Sequence, residues 1–435
     1  GRGAGGSSAI NGQIAIRGML EDFDDWAAQG CEGWSGADVL PYFCKLEDDL
    51  DFGDKPYHGK GGPIPIYRAP RDKWGAVDNA LATAAVDMGY GWDDDHNAPE
   101  STGASPFAID SRNGLRVSTN DGYLEPARDR PNLTIKGDVI VERVCIEPDN
   151  RCSGLRARTP NGVEEFHSRE VIVACGAVHS PGVLMRSGIG PTAEVAALGI
   201  PPVVDLPVGQ NFIDHSSIWL KLRLKPEAQV PEKYFRHTNC CVRFSSGLAG
   251  AGKNDMFMAS MNTLGLDEEG RKFGLLITSC YQTYSRGQVK VTSPDPTVDP
   301  NVEINMLDDE RDLVRLRDGY KRLHEIVKHP AVQAISEGLV SYVTGEISTD
   351  FPADDELDQW LLENAQDTQH PIGSCRMGAV DDPRSVVDSE CRVIGIKGLR
   401  VIDASIMPEM PRANTHLTTV MIGEHMAARI LAERG

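Results

Sequence analysis

Two kinds of residue in this 435-residue chain could do chemistry: a glycine- and serine-rich opening segment and eleven scattered histidines. Gly5-Gly6-Ser7-Ser8 offers consecutive backbone N–H groups and two hydroxyls, a concave arrangement suited to a pyrophosphate. A plain flexible linker has the same composition. The literal match of Gly1-Arg2-Gly3-Ala4-Gly5-Gly6 to G-x-G-x-x-G carries little weight, because that fingerprint has meaning only between a strand and a helix. Asp22, Asp24 and Asp25 lie near the distance of a ribose-binding acid only because the whole segment is acidic. Imidazole titrates near neutral pH and suits the removal of a hydroxyl proton. Spacing alone selects no base, since a single histidine is more often structural than catalytic.

The elements that must position such groups are partly legible. Val171-Ile172-Val173-Ala174 is a short, wholly apolar, β-branched run that predicts a buried parallel strand ending at Cys175-Gly176. Ser180-Pro181 then supplies a helix N-cap and first residue. A second strand, Leu399-Arg400-Val401-Ile402, stops at Asp403-Ala404-Ser405. Open α/β sheets bind ligands beyond the carboxyl ends of their strands, so Asp403 is a candidate ligand contact. Residues 133–146 read as strands about a Gly137-Asp138 turn, and Asn161-Gly162 marks another hairpin. Pro41 opens a short helix, and further helices are expected over residues 308–327 and 418–434. Strand-like residues 219–224 and 289–293 flank a polar middle that reads as a second domain inserted into the first.

Composition narrows the class of function. The formal net charge is −20, which argues against a nucleic-acid backbone as partner. Acidic surface runs such as residues 350–358 carry much of it. At 40% hydrophobic and 25% charged the chain is ordinary globular protein, with two or three domains expected at this length. No apolar stretch approaches a membrane span, and a cytoplasmic location is expected. Ten cysteines without a C-x-x-C pair predict reduced thiols, and no His/Cys run has metal-ligand spacing.

Longer segments decide the matter. Residues 5–12, continuing to Arg17-Gly18, resemble the first signature of the glucose–methanol–choline (GMC) oxidoreductases, flavoenzymes that oxidise alcohols. Residues 176–190, from Gly176-Ala177-Val178-His179 to Gly188-Ile189-Gly190, resemble the second signature almost position for position. Asp205-Leu206-Pro207-Val208-Gly209-Gln210-Asn211 with Asp214-His215 looks like the segment after it. His370-Pro371-Ile372-Gly373-Ser374-Cys375-Arg376-Met377-Gly378, Asp403-Ala404-Ser405 and Asn414-Thr415-His416 look like the family's C-terminal block.

The resemblance, closest to the choline-dehydrogenase-like branch, implies an α/β fold. An FAD-binding Rossmann-like domain (residues 1–62, 121–215 and 371–435) would carry a cap excursion (63–120) and an inserted α+β substrate-binding domain (216–370). It implies His370 as catalytic base and His416 as the group that helps orient the alcohol. Gly5, Gly6, Ser7, Asn11 and Gly12 would line the pyrophosphate and flavin edge, with Val139 at the adenine. Asp403 and Ala404 would approach the diphosphate and ribityl chain, with His416 and Leu417 near the pyrimidine. Ile10 stands where some members attach FAD through a histidine, so noncovalent FAD is expected. The expected partners are a small alcohol and an electron acceptor, either oxygen or a quinone or protein carrier. Family members carry a glycine-fingerprint βαβ unit ahead of the first signature, so an N-terminally truncated FAD domain is expected here. The alternatives are a hydroxynitrile-lyase-like flavoprotein and a noncatalytic remnant. An ammonium substrate would call for an aromatic cage, for which Trp219, Phe235, Tyr281 and Tyr284 are candidates. His58, His96, His167, His237, His324, His329 and His425 are expected at the surface.

Overall fold

The structure, a computed structural model, describes residues 1–231, 236–248, 250–341, 344–348, 352–353 and 355–434. Phe235, Asp350 and Asp354 therefore lie outside the described residues. Strict alternation along the strands builds the larger sheet and gives it two buried faces. Its antiparallel order runs Ile347–Ser348, Ser336–Val340, Ser216–Leu224, Phe273–Cys280, Met256–Met261, Cys240–Phe244 and Gly103–Pro106. Met256, Met258, Cys240, Val242, Ile218, Leu220 and Leu222 point to one core. Phe257 and Cys241, from the intervening positions, point to another.

Helices cover the first face. Ala76–Asp87 and Glu310–Lys328 lie against it, the latter through Leu316, Tyr320, Leu323 and Val327, spaced for one helical stripe. The second face meets the remainder of the molecule. There Val171–Val173 pairs in parallel with Leu399–Val401 and leads into the helix Gly176–Arg186, while Thr415–Arg434 packs on Gly36–Leu46. The sheet's second face thus shares one apolar core with the parallel strands, Phe257 and Cys241 clustering with Val173 and Val401. An antiparallel layer of Ile140–Ile146, Cys152–Thr159 and Gly162–His167 flanks them.

Three local expectations differ. Helix Gly36–Leu46 begins at a Ser35/Asp38 capping box, so Pro41 lies inside it rather than opening it. Ser180 and Pro181 likewise lie inside Gly176–Arg186, which starts four residues earlier; the Ser180 hydroxyl accepts the Cys175 N–H at 2.9 Å and donates to Asp403. Residues 133–137 form no strand. Ile140–Ile146 pairs forward with Cys152–Thr159, and Asp138 at φ 55° breaks the chain before it. The hairpin at Asn161 forms as expected, with Thr159 opposite Gly162. All ten cysteines are unpaired, and among the described residues no helix is long and apolar enough to cross a membrane.

His58, His96 and His425 are buried, contrary to expectation. His58 shows why. Its Nδ1 lies 2.7 Å from Glu47 and its Nε2 2.8 Å from Asp95, while Arg17 pairs with Glu47 and Arg68 bridges Asp49 and Asp95 at 3.0 and 2.9 Å. Two guanidiniums face three carboxylates, and a protonated imidazole completes the charge balance. Burial alone would depress the His58 pKa, but the bonds to Asp95 and Glu47 prevail and raise it. Its contribution is therefore complete below the ordinary value of 6.5 and is lost as pH rises through the higher folded value. His58→Leu is expected to destabilise the protein by about 3–5 kcal/mol at pH 6, as for a broken buried ion pair. Thermal melts should show the deficit shrinking at alkaline pH; a deficit independent of pH contradicts a charged His58.

Candidate active site

A two-residue strand, Gln366–Asp367, pairs with the start of Ser216–Leu224 and brings residues 368–370 against Asp214 and His215. Gln369 turns at φ 61°, which aims the next side chain inward. Both carboxylate oxygens of buried Asp214 accept the His370 N–H at 3.1 Å, and Oδ1 also accepts the Thr368 hydroxyl at 3.2 Å and the His215 N–H at 2.7 Å. Burial pushes the Asp214 pKa up to about 7 against the pull of these N–H groups.

The half-buried His370 ring is held at both nitrogens. Nδ1 stands 2.7 Å from Thr368 Oγ1 and 3.0 Å from His215 Nδ1. Nε2 stands 2.8 Å from Asn414 Nδ2, and Asn414 Oδ1 accepts the Tyr281 hydroxyl at 3.2 Å. That orientation turns the amide NH2 toward Nε2, so the ring presents a lone pair there and carries its proton on Nδ1. Burial lowers the His370 pKa to about 4, leaving a neutral imidazole at ordinary working pH.

The side chain touching His370 is therefore Asn414 and not His416, two residues further on. The reason is helical geometry: Asn414 precedes the first turn of Thr415–Arg434, and residues two apart on a helix face different sides. His416 turns toward Asp110, with Nε2 3.4 Å from Oδ2. Leu417 is fully buried in the apolar core, so only its backbone can face a ligand.

The residues expected at the flavin divide in two. Gly5 and Gly6 adopt φ 84° and 54°, the left-handed turn that glycine permits, and a Cβ on Gly6 would meet open space. Ser7, Ile10 and Gly12 are exposed. Asn11 is held by Arg116, whose guanidinium donates to its side-chain oxygen at 2.7 Å. Val139 is half-buried directly before the strand Ile140–Ile146, and Ala404 opens a short turn after Leu399–Val401. The Asp403 carboxylate is not free for a ligand. It accepts Gly176 N–H at 2.8 Å, Ser180 Oγ at 2.5 Å, Ser405 N–H at 2.8 Å and Ser405 Oγ at 2.5 Å, bracing the two parallel strand ends.

The residues present fit a bound flavin. Buried and without a hydrogen-bond partner among the described residues are Thr418 Oγ1, Asp110 Oδ1 and, apart from their mutual 3.4 Å approach, His416 Nε2 and Asp110 Oδ2, close to the helix start at Thr415. Stranding such groups costs about 1–3 kcal/mol each, so a polar ring hydrogen-bonding there would relieve a real deficit. Gly6 and Gly176 leave open space for the rest of the cofactor.

Of the candidate aromatics, Tyr281 has both faces covered, by His215 at 4.4 Å and Phe257 at 4.1 Å, and Arg311 sits 3.7 Å over Tyr284. Sequence reasoning passed over Asp214, His215, Thr368, Asn414 and Asp110 as site residues. Asp214, His215 and Asn414 stood inside quoted motifs, whereas nothing near Thr368 or Asp110 singled them out.

Two family models described as GMC oxidoreductase match the chain, over residues 1–217 and 283–423. The chain is 36% identical to a 5-(hydroxymethyl)furfural oxidase of Methylovorus sp. (strain MP688), across 100% of its own length and 83% of the relative's. It is 35% identical to an oxygen-dependent choline dehydrogenase of Yersinia pseudotuberculosis, across 99% and 79%. The crystal structure of pyridoxine 4-oxidase from Mesorbium loti superposes with a TM-score of 0.88 at 27% identity, covering 97% of this chain and 82% of that one.

Proposed function

The chain belongs to the GMC oxidoreductase family and is an FAD-dependent oxidoreductase acting on alcohol CH–OH groups, and from that premise we propose that His370 is its general base and Asn414 the donor that steadies the alcohol oxygen. One observation carries this reading: a neutral imidazole whose Nε2 lone pair meets an oriented amide NH2 at 2.8 Å. An alcohol hydroxyl inserted between them would donate its proton to Nε2 while accepting from Asn414, and the amide would stabilise the developing alkoxide. Bound FAD supplies the hydride acceptor. Gly5, Gly6, Ser7, Asn11, Gly12, Val139 and Ala404 would hold it from their loops. His416 and the Leu417 backbone would face its pyrimidine side from the positive end of the Thr415–Arg434 helix. Asp403 would act through the Gly176 and Ser405 turns that it ties together. Ile10 offers no nucleophile, in keeping with noncovalent attachment.

The substrate is a neutral hydroxymethyl compound in preference to choline. Tyr281 has no face left for an ammonium, and the Arg311 guanidinium over Tyr284 repels one. Trp219 shares its strand face with Lys221 and Arg223, which repel a cation. Oxygen serves as acceptor, a reading supported by one relative named an oxidase and another named an oxygen-dependent dehydrogenase. Mixing the flavin-loaded protein anaerobically with 5-(hydroxymethyl)furfural is expected to bleach the flavin absorbance, with choline much slower. Release of aldehyde and cyanide from a hydroxynitrile without bleaching would instead support the lyase reading.

A further inference from the structure

His215 lies beside the site with no exposed surface, yet nothing in the proton abstraction just described uses it. Its ring is stacked on Tyr281, 13° from parallel, and its Nδ1 faces His370 Nδ1 at 3.0 Å. Two ring nitrogens in contact share one proton, and the surrounding partners decide which ring carries it. Were it on His215, the His370 proton would sit on Nε2 and point at the Asn414 NH2, donor against donor. The Tyr281 hydroxyl, donating to Asn414 Oδ1, fixes the amide against that alternative. The Thr368 hydroxyl donates to Asp214 Oδ1 and so turns an oxygen lone pair toward His370. With its Nδ1 accepting from His370, the neutral His215 ring carries its own proton on Nε2, a buried atom with no hydrogen-bond partner among the described residues.

We propose that His215 is a positioning residue which, together with Thr368, keeps the His370 proton on Nδ1 and shares it as that ring becomes cationic. The consequence is that Nε2 remains the basic atom throughout, and the charge gained when the alcohol O–H breaks and the Nε2–H bond forms is spread toward two acceptors. His215 itself stays neutral, because its burial beside His370 opposes a second charge. Asp214, which faces Thr368 and the His370 backbone, is the nearest carboxylate to the pair. This inference rests on His370 being the base.

The test compares flavin-loaded His215→Phe, His215→Asn, Thr368→Val and the double variant His215→Phe/Thr368→Val with the parent in anaerobic reduction by a primary alcohol. Phenylalanine keeps the stack on Tyr281 without an acceptor, whereas asparagine can restore an acceptor at the Nδ1 position. His215→Phe and Thr368→Val are each expected to slow flavin reduction by about 10-fold and the double variant by about 100-fold or more, within the range for supporting partners of a site residue. KM should change little, and His215→Asn should recover most of the rate. A double variant that keeps the parent rate, or an asparagine variant as slow as the phenylalanine one, overturns the inference. His370→Ala run alongside separates the two layers: a slow His370→Ala with a fast double variant defeats only the role of His215 and Thr368, whereas a fast His370→Ala defeats the base itself.

Discussion

His370→Ala is expected to bind FAD and fold normally while reducing its flavin with alcohol about 10²- to 10⁴-fold more slowly, the usual loss for a missing general base. The expectation follows from the way the ring is mounted. Asp214 grips the His370 backbone and Thr368, not the imidazole, so truncation leaves the loop's own hydrogen bonds in place. What disappears is the imidazole nitrogen that meets Asn414 Nδ2 and can accept a proton at neutral pH. Added imidazole, small enough to enter the vacated space, should restore part of the rate. A variant that reduces flavin at the parent rate would remove His370 from the mechanism.

Asp403→Ala is expected to lower stability severely and to abolish FAD retention. The carboxylate collects two backbone N–H groups and two hydroxyls from segments far apart in the chain. Deleting it strands the Ser180 hydroxyl and the Ser405 N–H and hydroxyl in a buried place, and at about 1–3 kcal/mol per group the loss is about 3 kcal/mol or more. That is a large share of the roughly 5–15 kcal/mol by which a domain is stable. The segment it releases joins Val171–Val173 to the helix Gly176–Arg186, beside the open space at Gly176. Thermal melting and flavin absorbance after gel filtration test this, and a variant with the parent's melting temperature and flavin content contradicts it.

The strand ends at Cys175 and Asp403 were legible because β-branched apolar runs stop abruptly at glycine, aspartate and serine. The alternation of Trp219, Lys221 and Arg223 with Leu220, Leu222 and Leu224 likewise marks a strand with one buried and one half-buried face. Ser180 misled because its hydroxyl has a local partner, the Cys175 N–H, as well as a distant one. The distant one, Asp403, lies 223 residues away. The histidines divide by the same logic: His58 looks like a loop residue until Asp95, 37 positions on, and Glu47 close about it. In the site, the motif led to the right stretch of chain but not to the right side chain. Asn414 and His416 both occur in it, and only the start of the helix at Thr415 decides which of them reaches His370. His215 and Thr368 were hidden because their value lies in a proton's position, which residue types alone do not reveal.

The most direct measurement is the rate of anaerobic flavin reduction by a primary alcohol as a function of pH, in the parent protein and in His370→Ala. A base that burial depresses to about 4 predicts a parent rate that rises through that pH and levels off above it. The variant should be slow and lack the step. The same midpoint in both proteins would assign the ionisation to another group and contradict the account.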